Sequence, residues 1–243
     1  MVLDLAASGQ YKQLGRIGPR PTEALVKQVL KAGPAAVASL TEIAADLRLF
    51  DAEEPEDFAP LHALRLLGEL NSSAIVEPLL NAPAAGLPTV GENLLAQWSD
   101  EAAQMIARLG PQVFETLVGV LDDPAREDES KVLAYKALAY MTVAHPETFD
   151  AVADVLLQRL HTQESTLMTS YVVLTISQVG VASAYSEVMA LFKEGKVDRD
   201  VIQPGLARQL LLTKDTTSRL ACVKHSFWER YDQHGPFAQA PQQ

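Results

Sequence analysis

The chain has 243 residues, one cysteine, 48% apolar but only 6% aromatic residues, and a formal charge of −11 from 31 acidic and 20 basic side chains. That length can bury a sizeable core without staples, and a single thiol makes no intrachain disulfide and suits a reducing compartment, the cytoplasm. The acidic balance opposes phosphate backbones and anionic lipid, no stretch approaches the roughly 20 apolar residues of a membrane span, and Met1 to Gln13 lacks a signal-peptide pattern.

After an N-terminal segment, 1–20, the apolar spacing predicts helix pairs over 21–32 with 34–49, 57–70 with 73–82, 100–109 with 111–121, 129–144 with 146–161, 165–179 with 183–194, and a weaker pair over 201–213 with 217–231. Asp51 to Asp57 and Asp122 to Ser130 read as acidic loops. Asn81 to Gly91 reads as a Pro, Ala and Gly interruption before a short helix around Glu92 to Trp98. Residues 232–243 read as a flexible tail.

The second helices carry one apolar stripe each: Ala36, Val37, Leu40 and Ala44; Ile75, Val76, Leu79 and Leu80; Val113, Phe114, Leu117, Val118 and Leu121; Val152, Ala153, Leu156, Leu157 and Leu160; Val188, Met189 and Phe192. Their first positions, 36, 75, 113, 152 and 188, step by about 39, 38, 39 and 36 residues, the range of two-helix repeats. Pro34, Ser73, Pro111, Pro146 and Ser183 mark their starts.

The preceding helices share a template of their own, at Ala59, Ala63, Leu66, Leu67 and Leu70, at Leu133, Ala137, Tyr140, Met141 and Ala144, and at Met168, Val172, Thr175, Ile176 and Val179. Gly68, Gly110 and Gly180 read as left-handed caps at their ends. One such hairpin cannot bury its own apolar face, so the expected fold is all-α, an α-solenoid of about five to six stacked antiparallel helix pairs over 21–231.

The stretch from Phe58 to Leu70, FAPLHALRLLGEL, with Ala74 to Leu80, AIVEPLL, resembles a HEAT-like repeat unit, and more narrowly the bacterial HEAT-like proteins that often end in a cysteine-rich SEC-C zinc motif. Lys193 to Asp198, KEGKVD, resembles the closing repeats of that group, so the likeness runs from about Phe58 to Leu212. Cys222 stands alone where that group has a cysteine cluster, so the resemblance implies a fold and a scaffold role and brings neither zinc nor substrate.

Candidate chemistry is sparse. Cys222, His225 and His234 offer three zinc ligands without a fourth, and a thiol activated by His225 would need a geometry that three residues along one helix rarely give. His62 sits within a helix, while His145 and His161 stand at helix ends, where an imidazole suits the negative dipole end. The acidic runs sit in polar loops rather than in the differently tuned surroundings that acid–base catalysis requires. No HExxH, Walker loop, GxSxG elbow, dinucleotide fingerprint or EF-hand occurs. The acidic second helices oppose a DNA-glycosylase-like grip, and the lone cysteine gives no support to a bilin lyase.

The function expected from the sequence is a non-catalytic protein-interaction scaffold. It would present an acidic concave surface, with Glu77, Glu115, Asp150 and Asp154, to a protein partner with a basic surface, and it uses no metal, cofactor, nucleic acid or membrane. Trp98 is a further candidate partner contact, and the alternative is a small-molecule-binding or enzyme-accessory protein using the irregular loop 81–98 in which it stands. Oligomeric state is left open.

Overall fold

The structure, a computed structural model, describes residues 13–85, 92–162, 165–213 and 219–234. Helices and short turns make up this part of the chain, and no strand occurs among the described residues. The helices are α1 (Glu23–Ala32), α2 (Val37–Ala45), α3 (Ala59–Leu70), α4 (Val76–Ala85), α5 (Glu92–Arg108), α6 (Phe114–Asp122), α7 (Asp128–Ala144), α8 (Phe149–Leu160), α9 (Thr166–Val179), α10 (Tyr185–Lys193), α11 (Pro204–Leu212) and α12 (Phe227–His234). Among the described residues no helix is long and apolar enough to cross a membrane.

The even-numbered helices α2 to α10 are each entered through a 3-10 turn: Gly33–Ala36, Ser73–Ile75, Gly110–Val113, Pro146–Thr148 and Ala182–Ala184. The last residues of these turns, Ala36, Ile75, Val113, Thr148 and Ala184, are all buried. Four residues further on stand Leu40, Leu79, Leu117, Val152 and Val188, each with 0% exposure. These equivalent positions lie 39, 38, 35 and 36 residues apart, so the expected register is corrected from the fourth repeat onward. Val152 matches Leu117, not Val113. A helical stripe looks the same after a shift of one turn, and the 3-10 entry that fixes its phase is invisible to periodicity.

The end signals are partly displaced too. Gly110 and Gly180 are left-handed, with φ of 79° and 80°, as expected of caps. Gly68 instead lies inside α3, where a Cβ would run into the sulfur of Met105, and the left-handed cap is Asn71 at φ 49°. Ser72 rather than Ser73 accepts the Ala74 amide, and Ser183 falls within its turn without capping it. Glu92–Arg108 is one continuous helix where a short helix and a second start at 100 were expected. The Ser99–Asp100 pair that resembles a cap sits mid-helix. In place of the helix expected over 217–231, the structure has a 3-10 turn, Ala221–Lys224, and then the helix Phe227–His234, while 214–218 lie outside the described residues.

Two compact units emerge, one drawn from Met1–Leu109 and His225–Gln243, the other Gly110–Lys224. In the first, α3 packs against α1, α2 and α5, and α2 packs also on α4. In the second, α7 packs on α9 and α9 on α11, while α6, α8 and α10 each pack on the odd-numbered helix that follows them. A helix enclosed on several sides needs apolar residues all round rather than on one stripe. Accordingly every residue from Ala59 to Gly68 is buried, as are ten of the residues from Leu133 to Val143.

The first unit is not continuous in sequence. The chain leaves the first unit after Leu109 and re-enters it at His225, and there α12 packs on α3.

Candidate functional site

A buried polar cluster in the first unit joins side chains of α3, α5 and α12, and none of its members was singled out by sequence as a site. Arg65 on α3 is 1% exposed and Glu101 on α5 is 4% exposed. The guanidinium forks onto the carboxylate, with Nε 3.1 Å from both oxygens, the bidentate geometry that offsets the desolvation of two charges. From α12, the buried Arg230 donates to Gln104 Oε1 at 2.5 Å and approaches Glu101 Oε2 at 3.9 Å. Tyr231 lies beneath the Arg65 guanidinium, 4.4 Å from ring centre to cation.

His62 completes the cluster. Its Nε2 lies 3.0 Å from the carbonyl oxygen of Gly18, and its Nδ1 lies 2.6 Å from the Tyr231 hydroxyl. A carbonyl can only accept, so Nε2 carries the proton, and Nδ1 accepts from the tyrosine O–H. Burial pushes the imidazole down to about 4; the Gly18 bond opposes this and the Arg65 charge reinforces it. Burial likewise raises the Tyr231 phenol, with the cationic Arg65 working the other way. The imidazole is neutral and the phenol protonated at neutral pH.

The Glu101 carboxylate, the His62 imidazole and the Tyr231 hydroxyl of this cluster are all hydrogen-bonded inside a packed core. The cluster fastens α12 to α3 and α5. Its signal in the sequence was Arg65 itself, a charge in the middle of the apolar run Leu61 to Leu67 on a helix with no solvent face.

The residues expected to meet a partner are placed differently. Glu77 is exposed on α4 in the first unit, and Glu115, Asp150 and Asp154 are exposed on α6 and α8 in the second. Glu115 and Asp150 are equivalent residues, each second in its helix, as Glu77 is in α4. All three therefore sit where a carboxylate meets the positive end of a helix dipole, a reason for acidity that needs no partner. Asp154 lies a turn further on. Trp98 is 1% exposed and donates its indole N–H to the carbonyl of Ala44 at 2.8 Å, which makes it an internal tie between α5 and α2. Of the loop 81–98, residues 81–85 end α4 and 92–98 open α5, while 86–91 lie outside the described residues.

Cys222 lies in the 3-10 turn Ala221–Lys224 of the second unit, its sulfur 3.9 Å from the Tyr140 hydroxyl, and His225 belongs to the first unit. The His234 side chain lies outside the described residues. Among those described, no three His, Cys, Asp or Glu side chains are grouped as a metal would need. His161 pairs with Glu187 at 2.9 Å rather than capping alone, and the His145 ring covers Gly110.

One groove in the second unit is lined by both polar and apolar side chains. It has a volume of about 630 Å³, and Leu160, Leu191, Thr166, Thr169 and the His161–Glu187 pair line it, with Lys196 held by Glu194 at 2.9 Å.

Comparison with protein-family models, curated proteins and solved structures found no match to this chain.

Proposed function

We propose that the chain is a non-catalytic, HEAT-like helical-repeat scaffold that binds a protein partner with a basic surface. Exposed carboxylates on the even-numbered helices of the second unit make the contact. The observation that supports this reading is the placement of Glu115, Asp150 and Asp154, exposed on two helices that both pack on α7. Rigid neighbouring helices hold such charges in fixed relation, which gives a partner orientation as well as attraction. In a stacked α-solenoid these helices would line the concave wall.

The test is affinity purification from the native host with the wild-type chain and with Asp154→Lys, then titration of the recovered protein at two salt concentrations. The expected result is at least tenfold weaker binding for the variant, a shallower salt dependence, and an unchanged melting temperature. Equal binding by both chains would place the contact elsewhere.

A small-molecule reading is favoured by one observation, the groove beside Glu187, rather than by loop 81–98. Thermal-shift screening with Glu187→Ala as control tests it: a compound that stabilises the wild type but not the variant supports that reading.

A further inference from the structure

α12 has eight residues and presents Phe227, Arg230 and Tyr231 inward, 5%, 1% and 6% exposed, at the i, i+3, i+4 spacing of one helix face. Ser226 and Glu229 cap its start reciprocally: the Ser226 amide donates to Glu229 Oε2 at 2.8 Å and the Glu229 amide to Ser226 Oγ at 3.4 Å. Two turns of helix are too short to persist alone in water, so α12 is helical when docked and frayed when not. That makes it an element with two states.

Its docking rests on polar anchors that depend on one protonation state. Tyr231 donates to the unprotonated Nδ1 of His62, and a second proton on that ring removes the acceptor and adds a cation. Tyr231 from α12 touches the ring and Arg65 from α3 acts on it directly, while Arg20 from the segment before α1 lies over Tyr231, and Glu101 from α5 and Arg230 from α12 complete the charged cluster behind Arg65. Three of these are cations, the Glu101 carboxylate already serves Arg65 and Arg230, and Asp232 faces outward against Arg20 at 2.6 Å. An imidazolium there is buried beside the Arg65 cation and meets repulsion.

We propose that α12 is an acid-released latch: it stays docked on α3 while His62 is neutral, and protonation of His62 releases Phe227–His234 and uncovers the face of α3 beneath it. Release is expected before the unit unfolds because the hydrogen bond lost on protonation is the one to α12, while an imidazolium still donates from Nε2 to Gly18.

Hydrogen–deuterium exchange of the full chain between pH 7 and pH 5, corrected for intrinsic exchange, tests the latch. Docking of 227–234 is expected to weaken about tenfold per pH unit below about 6.5 while 23–32 and 37–45 of the same unit stay protected. His62→Gln, which keeps a donor and an acceptor but takes no proton, is expected to abolish that pH dependence. Protection of 227–234 that is flat from pH 7 to 5, or that falls equally in His62→Gln, overturns the proposal. Should that variant fail to fold, NMR of the wild-type His62 ring decides: a ring that is neutral and Nε2–H in the docked form and gains its second proton only as 227–234 loses protection supports the latch, and a titration with α12 still protected, or no loss of protection by pH 5, overturns it.

Discussion

Gly110 carries two constraints on one atom. Its φ of 79° excludes a Cβ at little strain, and an added Cβ would also stand 2.8 Å from the His145 ring. Gly110→Ala is therefore expected to destabilise by about 2 kcal/mol or more, read as a lower melting temperature, whereas the same change at Gly119, where nothing stands within 4 Å, should be neutral or slightly stabilising. The buried pair makes a second residue-scale prediction. Glu101→Gln leaves Arg65 charged without its counterion and should cost about 3–5 kcal/mol, while Arg65→Met combined with Glu101→Leu should cost much less. Chemical denaturation of both variants checks the difference. For His62 the unfolded chain binds more protons than the folded one between pH 6.5 and about 4, so stability is full above that window and falls through it as the solution is acidified, by about 3 kcal/mol. None of these partnerships was readable beforehand. Arg65 and Glu101 lie on separate helices and His62 and Tyr231 are 169 residues apart, and a single sequence carries no pairwise signal.

At the level of the helix, much was legible. Helix existence and the buried template at Ala63, Leu67, Ala137, Met141, Val172 and Ile176 follow from apolar spacing, which burial imposes directly. Phase and boundaries were harder, because 3-10 entries, a mid-helix Ser–Asp pair and an in-helix glycine all imitate or hide the usual signals. The acidic first-turn residues show how one pattern serves two physical ends. Glu115→Lys places a cation at a helix N-terminus and is expected to lower stability by about 0.5–1 kcal/mol, less at high salt, with or without a partner. Asp154→Lys sits beyond the first turn and should leave the melting temperature unchanged. Thermal melts of the two variants at low and high salt separate dipole stabilisation from a docking role, and only the second variant reports on docking cleanly.

For the whole molecule, the two units predict unequal responses to shortening the chain. Ending it at Lys224 removes Arg230 and Tyr231, which leaves the α3 and α5 side of the cluster open to water. Exchange protection is expected to drop in 59–70 and 95–108 and to persist in 133–143 and 168–179, and a uniform drop would mean that the two units unfold together. The same discontinuity has a meaning during synthesis. His62 leaves the ribosome long before Tyr231 exists, and at roughly 5–20 residues per second the interval is on the order of ten to thirty seconds. Through that time a nascent first unit holds an ion pair and an imidazole on an unfinished surface. Completion of its core is thus timed by the synthesis of α12 rather than by its earlier helices, and the unit begun first is sealed only after Gly110–Lys224 has been made.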